Sequence, residues 1–362
     1  MAKCTYQDGR HMAFSGKIGV LTGGGDCPGL NAAIRAVVRS GIAHGNSVIG
    51  IRNGWQGLIE NDTFPLSDRH VSGIISWGGT ILGTSRTDPV KTPDDFASLK
   101  STLDLLDIGA LVVIGGNGTL SAAREVAMRG IRIVGIPKTI DNDIAGTSVT
   151  IGFDTAVAIV TEAIDRLHTT AESHHRIIIL EVMGRRSGRL ALAAGMAGGA
   201  DQILVPEVRV SMDEVCASLE ARHRAGKKFS IVVVAEGTRH EDIAGTTVPA
   251  CDQDECGHEK FVGIGNFLGK ELERRLSLET RVTVLGHVQR GGSPTAQDRI
   301  LATRLGIAAM DRIHAGSFGC MMGIQEGRIV PVPLESVAGQ TQGIDPETYA
   351  QAIISANTHQ RR

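Results

Sequence analysis

The stretch Pro137-Lys138-Thr139-Ile140-Asp141-Asn142-Asp143 gathers a hydroxyl, two carboxylates, an amide and an ammonium. An acidic pair beside a lysine suits deprotonation of a hydroxyl while a phosphoryl group is held nearby. The plainer alternative is an Asx-rich turn that only caps the next helix. Two glycine-rich turns precede it and favour chemistry. Gly23-Gly24-Gly25-Asp26-Cys27-Pro28-Gly29 and Gly115-Gly116-Asn117-Gly118-Thr119 each follow an apolar run and lead into a helical pattern. That order can bring backbone N–H groups and a helix N-terminus to a phosphate. The first turn is neither GxGxxG with a ribose acid nor the Walker pattern, so alone it is a weak signal. Three such loops on one sheet edge make a composite site.

These loops need strands to hold them. Residues 131–136 are short, β-branched and apolar, a buried strand ended by Pro137, which has no N–H for the ladder. Residues 17–22, 47–51 and 110–114 read as further strands, the last apolar enough for a parallel sheet covered on both faces. Helical spacing follows at 31–39 and 121–128. The second half repeats the alternation, with strands expected at 176–183, 202–206, 229–235 and 281–285. Helices are expected there at 155–168, 190–200, 212–225, 261–276 and 295–315. This predicts an α/β chain of two doubly wound, Rossmann-like, three-layer αβα domains with a cleft between them.

Cationic residues recur near expected strand ends. Arg86 closes a glycine-rich loop, and Arg176, Arg185, Arg281, His287 and Arg290 flank strands of the second half. Guanidinium forks suit a sugar phosphate, and Glu236 after a strand suits sugar hydroxyls. Singly, each is more often a surface charge; their repetition points the arginines of the second half at the cleft. Cys251, Cys256 and His258 sit in a polar loop without paired CxxC spacing, which reads as surface loop rather than zinc site.

The bulk numbers bound the classes. A chain of 362 residues is too long for one ordinary core. Aromatic content of 3% argues against a base-stacking platform, and Trp55 reads as packing. A net charge of −2 gives no global field for nucleic acid or anionic membrane, so anion binding must be local. Six scattered cysteines favour a reduced, cytoplasmic setting. No apolar run is long enough to span a bilayer, and no signal segment is evident at the N-terminus. Residues 1–14 are set aside as a disordered extension.

The motifs, in this order, closely resemble the 6-phosphofructokinase family of the bacterial type, with its ATP- and pyrophosphate-using members. The stretches are IGVLTGGGDCPGLNAAIRAVVR, GGTILGTSR, LVVIGGNGT, GIPKTIDNDIAGT, EVMGRRSG and VLGHVQRGGSP, and with shorter matches they cover most of residues 17–306. The resemblance implies phosphoryl transfer to the 1-hydroxyl of fructose 6-phosphate, a step of glycolysis. It makes Asp141 the general base, with Thr139 and Asp143 lining the same site and Asp143 near Mg2+. Arg185 would stabilise the transferring group. Met183, Gly184, Glu236 and Arg290 would hold the sugar. Arg176, Arg281 and His287 would bind its 6-phosphate, with Arg176 and Arg281 reaching in from a neighbouring subunit. Active sites shared in that way imply a dimer or tetramer. Gly25, Arg86, Thr87, Gly116, Asn117, Gly118, Thr119 and Lys138 would hold the donor. The donor-binding domain would span 15–152 with about 289–339, and the sugar-binding domain 153–288 with about 340–362.

The chain departs from the family at three places. Asn117 stands where members usually carry an acid that organises Mg2+, and a neutral amide is a weaker ligand for a hard cation. Gly118 resembles ATP users, whereas Lys138 resembles pyrophosphate users. Gly118 leaves room for a nucleotide, so ATP is the expected donor and pyrophosphate the alternative. A third reading is a catalytically weakened paralogue that binds sugar phosphate as a regulatory subunit. Finally, His168 and Asp201 replace residues of the family's effector site, so strong allostery is not expected.

Overall fold

The computed structural model describes residues 14–239 and 263–356. The extension at the N-terminus and the loop with Cys251, Cys256 and His258 lie outside the described residues, save Phe14. The first sheet has seven strands in the order β11-β10-β5-β4-β1-β2-β3. They are β1 (Lys17–Gly23), β2 (Val48–Ile51), β3 (Thr63–Leu66), β4 (Ile108–Gly115), β5 (Ile133–Pro137), β10 (Cys320–Gln325) and β11 (Arg328–Pro333). The inner strands are parallel, and β3 and β11 close the edges antiparallel. The second sheet is parallel, in the order β7-β8-β6-β9. Its strands are β6 (Ile177–Val182), β7 (Gln202–Leu204), β8 (Ser230–Ala235) and β9 (Thr280–Val284). Helices cover the sheets, so β5, β6 and β8 are buried along their whole length. A parallel strand flanked by helices has no solvent face, hence the continuous apolar runs in the sequence. The expected two-domain, three-layer α/β architecture is what the chain adopts.

Strand order places the site. The chain leaves β1 toward β2 on one side and β4 toward β5 on the other, so β1 and β4 flank a topological switch point. Gly23 pairs with Gly115, and Gly115 with Pro137. Three strands therefore end in step, and their three loops begin side by side. In the second sheet Val182 pairs with Ala235, which sets the loop after β6 beside Glu236.

One buried carboxylate joins the halves. Asp298, 0% exposed near the start of helix Ala296–His314, accepts hydrogen bonds from the N–H groups of Gly152 and Thr155, each 2.8 Å, and from the Thr155 hydroxyl. These donors open helix Phe153–His174, which runs from the first sheet to the second. An acid there satisfies orphan donors and favours the positive end of the helix dipole.

Candidate active site

The loops after β1, β4 and β5 line a cavity of about 530 Å³, closed on another side by Arg185 and Arg290. Each wall has a local cause. Lys138 is 2% exposed, and its ammonium donates to the carbonyls of Gly23 (3.0 Å) and Gly25. Burial pushes its pKa down, while its place in that cluster of carbonyls keeps a donor on the glycine turn. A Cβ on Gly25 would lie 2.5 Å from Nη1 of Arg290, so a side chain there would have to push the guanidinium aside. Arg290 in turn donates to the Asp26 carbonyl at 3.1 Å. The turn at Gly116 opens helix Asn117–Met128 directly onto the cavity, so its free N–H groups face a prospective anion.

The loop after β5 is shaped by its own polar groups. The Asp141 N–H donates to Oγ1 of Thr139 at 3.1 Å, and Thr150 Oγ1 donates to the Thr139 carbonyl at 2.6 Å. Asn142 adopts φ +49°, a left-handed conformation that asparagine tolerates, and donates to the Ser148 carbonyl at 3.1 Å. The turn leaves Asp141 and Asp143 both on the cavity wall. Asp141 is 5% exposed, and its Oδ1 is buried without a hydrogen-bond partner. A buried acceptor left open costs free energy unless a ligand supplies the donor.

Burial, with Asp141 next to it, pushes the Asp143 carboxyl up to about 6, against an Asn117 amide that donates to its Oδ2 at 2.9 Å. Its folded value lies above the unfolded one, so the favourable contribution is complete below about pH 4 and is lost as pH rises through about 6. At neutral pH the ionised carboxylate costs on the order of 2–3 kcal/mol. Asp143→Asn is therefore expected to raise the melting temperature by a few degrees at about pH 7.5, with the gain gone by about pH 4. Calorimetry across that range checks it; an unchanged melting temperature at pH 7.5 would refute the assignment.

Arg185 arrives from the second sheet on a strained loop. Gly184 has φ +146° and Arg185 itself has φ +52°. Oε1 of Glu236 holds both, accepting the N–H of Gly184 (3.3 Å) and of Arg185 (3.0 Å), and burial pushes the Glu236 carboxyl up. Ser187 Oγ reaches the Asp141 carbonyl at 3.4 Å, which ties this loop to the one after β5.

Of the residues singled out from the sequence, the cavity wall gathers Gly25, Arg86, Thr87, Gly116, Asn117, Gly118, Thr119, Lys138, Thr139, Asp141, Asp143, Arg185 and Arg290. Met183, Gly184 and Glu236 stand one step behind Arg185; the Met183 N–H donates to Gln289 at 3.2 Å. His287 is exposed in the turn Gly286–Arg290. Arg176 and Arg281, expected to reach into the site of a neighbouring subunit, lie where β6 and β9 begin, at the opposite end of the sheet from Arg185 and Glu236. Six strand residues at about 3.3 Å each separate the two edges by roughly 20 Å. Both pair there with Glu279, Arg176 at 2.6 Å. Arg39 and Asp201 are also paired, with Asp68 and Arg222, each at 2.8 Å.

Sequence reasoning missed several wall residues. Ser121, Ala122 and Glu125 follow Gly118 at helical spacing, and that periodicity was a usable signal. Trp55 is buried packing as expected, yet it also borders the cavity. Ala338 and Gly339 arrive from the far end of the chain with no local signal.

The phosphofructokinase family profile matches residues 17–313. A pyrophosphate–fructose 6-phosphate 1-phosphotransferase of Streptomyces coelicolor is 50% identical, over 93% of this chain and 99% of its own. The ATP-dependent 6-phosphofructokinase 3 of the same organism is also 50% identical, over 93% of this chain and 98% of its own. Among solved structures, phosphofructokinase from Saccharomyces cerevisiae superposes with a TM-score of 0.77 at 34% identity, over 88% of this chain and 44% of that longer one. With the catalytic-type loops on one cavity and this match along most of its length, the chain belongs to the phosphofructokinase family.

Proposed function

We propose that the chain is a 6-phosphofructokinase that transfers the γ-phosphoryl group of ATP to the 1-hydroxyl of fructose 6-phosphate, giving fructose 1,6-bisphosphate. The observation that carries this reading is the unpartnered Oδ1 of buried Asp141 on the wall shared with Arg185 and the glycine turns. Asp141 accepts the proton of the sugar hydroxyl, and Thr139 fixes the loop that holds it. Arg185 neutralises charge on the group in transfer. Gly25, Arg86, Thr87, Lys138 and the turn from Gly116 to Thr119 hold the donor. Met183, Gly184, Glu236 and Arg290 hold the sugar.

Arg176, Arg281 and His287 take the 6-phosphate. Arg176 and Arg281 serve the cavity of a second copy, since the strand length keeps them from their own. The enzyme then works as a dimer or tetramer, in the cytoplasm. No helix among the described residues is long and apolar enough to cross a membrane. The donor belongs to residues 15–152 with about 289–339, and the sugar to 153–288 with about 340–362.

A kinase reaction of this family needs a metal ion. Among the described residues no three His, Cys, Asp or Glu side chains form a metal cluster. The buried, unpartnered Oδ1 of Asn117 beside Asp143 nevertheless fits a hard cation that keeps water and phosphate oxygens as its other ligands. Mg2+ held there would neutralise phosphate charge.

ATP is favoured by Gly118, where a Cβ would meet nothing within 4 Å and the nucleotide has room. Pyrophosphate stays as the second reading because of Lys138, and because relatives with either donor are equally similar. Purified protein with fructose 6-phosphate and Mg2+ should form product with ATP. Product with pyrophosphate alone would transfer the assignment to the second donor. No turnover with either would leave a regulatory sugar-phosphate binder.

A further inference from the structure

After helix Leu334–Val337, which packs on helix Asn117–Met128 of the first half, the chain crosses to the second half. It arrives as helix Pro346–Ala356, where Ala352 is buried and the Tyr349 hydroxyl donates to the Ile203 carbonyl at 3.3 Å. The crossing segment touches the site at each step. Ala338 and Gly339 stand on the cavity wall, and the Gly339 N–H donates to Oγ of Ser121 at 3.3 Å. Thr341 forms an antiparallel bridge with Ile144, and the Gln342 N–H donates to the Asp143 carbonyl at 2.8 Å. The Gly343 carbonyl accepts from Nη1 of Arg189 at 2.9 Å. Arg189 opens helix Arg189–Ala197, just after the loop that carries Arg185. Both oxygens of Glu207 hold that helix start by accepting the Gly188 N–H, at 3.0 and 3.1 Å. One short segment thus joins the donor helix, the loop after β5 and the base of the Arg185 loop. Residues 339–343 are nevertheless exposed. A segment with few buried groups opens easily, so a ligand that orders one end lowers the entropy cost of ordering the other.

Resting on the phosphofructokinase reading, we infer that residues 338–343 are a strap that couples the sugar half to the donor cavity, with Arg189 as the positioning residue that anchors it. Sugar bound at Gly184 and Glu236 steadies the Arg185 loop and the helix start behind it. Arg189 passes that order to the strap, which then holds Asp143, Ala338 and Gly339 in place for the donor. Fructose 6-phosphate and the donor therefore tighten each other's binding, by the same factor in each direction.

Titration calorimetry on the intact protein with Mg2+ tests this without turnover. The donor probe is the β,γ-imido analogue of ATP or imidodiphosphate, whichever binds more tightly. Fructose 6-phosphate should tighten that probe about tenfold in the wild type. With no donor present, it should also slow deuterium exchange at the amides of Gly339 and Gln342. Arg189 does not line the cavity, so Arg189→Ala should bind each ligand alone within about threefold of the wild type. Its coupling should fall to about twofold or less, and the two amides should no longer respond to the sugar. Arg189→Lys keeps a cationic donor for the Gly343 carbonyl and should retain most of the coupling. Gln342→Pro deletes the N–H given to Asp143 and should lose the coupling as Arg189→Ala does. Wild-type protein that binds both ligands independently, or one at the expense of the other, would overturn the strap alone. So would full coupling in Arg189→Ala or in Gln342→Pro. Failure of fructose 6-phosphate or of both donor probes to bind by themselves would remove the phosphofructokinase reading and the strap with it.

Discussion

Asp141→Asn is expected to lower kcat by about 10²–10⁴-fold and to leave KM for fructose 6-phosphate within about threefold. The amide has the shape of the carboxylate, so the cavity keeps its size. The contacts that hold the loop are made by the backbone of Asp141, through its N–H to Thr139 and its carbonyl to Ser187, and these survive the substitution. What disappears is the acceptor for the hydroxyl proton. The open Oδ1 makes the expectation specific, since no resident hydrogen bond has to be broken before substrate arrives. Steady-state kinetics on the two proteins decide it. A variant within tenfold of wild-type kcat would remove Asp141 from the chemistry.

How far this could be read in advance depends on which interactions are local. The strand ending at Pro137, the glycine turns and the acids after β5 are written in contiguous residues, and all of them fell where expected. Strand β10 was not anticipated. Its run Cys320-Met321-Met322-Gly323 has no period of its own, and it becomes a strand by pairing with Val134 and Gly135 far back in the chain. Strand β3 contains Pro65, which argues against a central strand, and it lies at an edge where that proline is tolerated. Helix Pro93–Leu106 was also missed, although its signal was local: Thr92 caps it, Pro93 is its first residue and Asp94 and Asp95 follow.

For the site, the residue types pointed to the chemistry and the topology decided the geometry. Arg176 and Arg185 both flank β6 and look equivalent as sequence. In a parallel sheet the two ends of a strand are different places, and only the C-terminal end faces the crevice. The same asymmetry puts Arg290 on the cavity wall and Arg281 near the start of β9, away from it. The link between Asn117 and Asp143 is a tertiary contact between two strand-end loops, which no spacing within either loop reveals.

Arg185→Gly is expected to cost about 10²–10³-fold in kcat while leaving the melting temperature unchanged or slightly raised. Two effects on stability oppose each other. Holding a non-glycine residue at φ +52° costs roughly 1–2 kcal/mol, which glycine relieves. Glycine loses more chain entropy on folding, about 0.5–1 kcal/mol. The balance is near zero or favourable, so a side chain kept there against strain has its value in the reaction. Backbone packs closely around the loop: a Cβ on Gly237 would lie 1.7 Å from the Arg185 carbonyl, and one on Gly184 would lie 2.3 Å from that of Ser187. Arg185→Lys keeps the charge but loses the planar fork, so it should fall between the wild type and Arg185→Gly. A large drop in melting temperature with Arg185→Gly would show that the guanidinium holds the fold. Full activity in Arg185→Lys would show that any cation suffices.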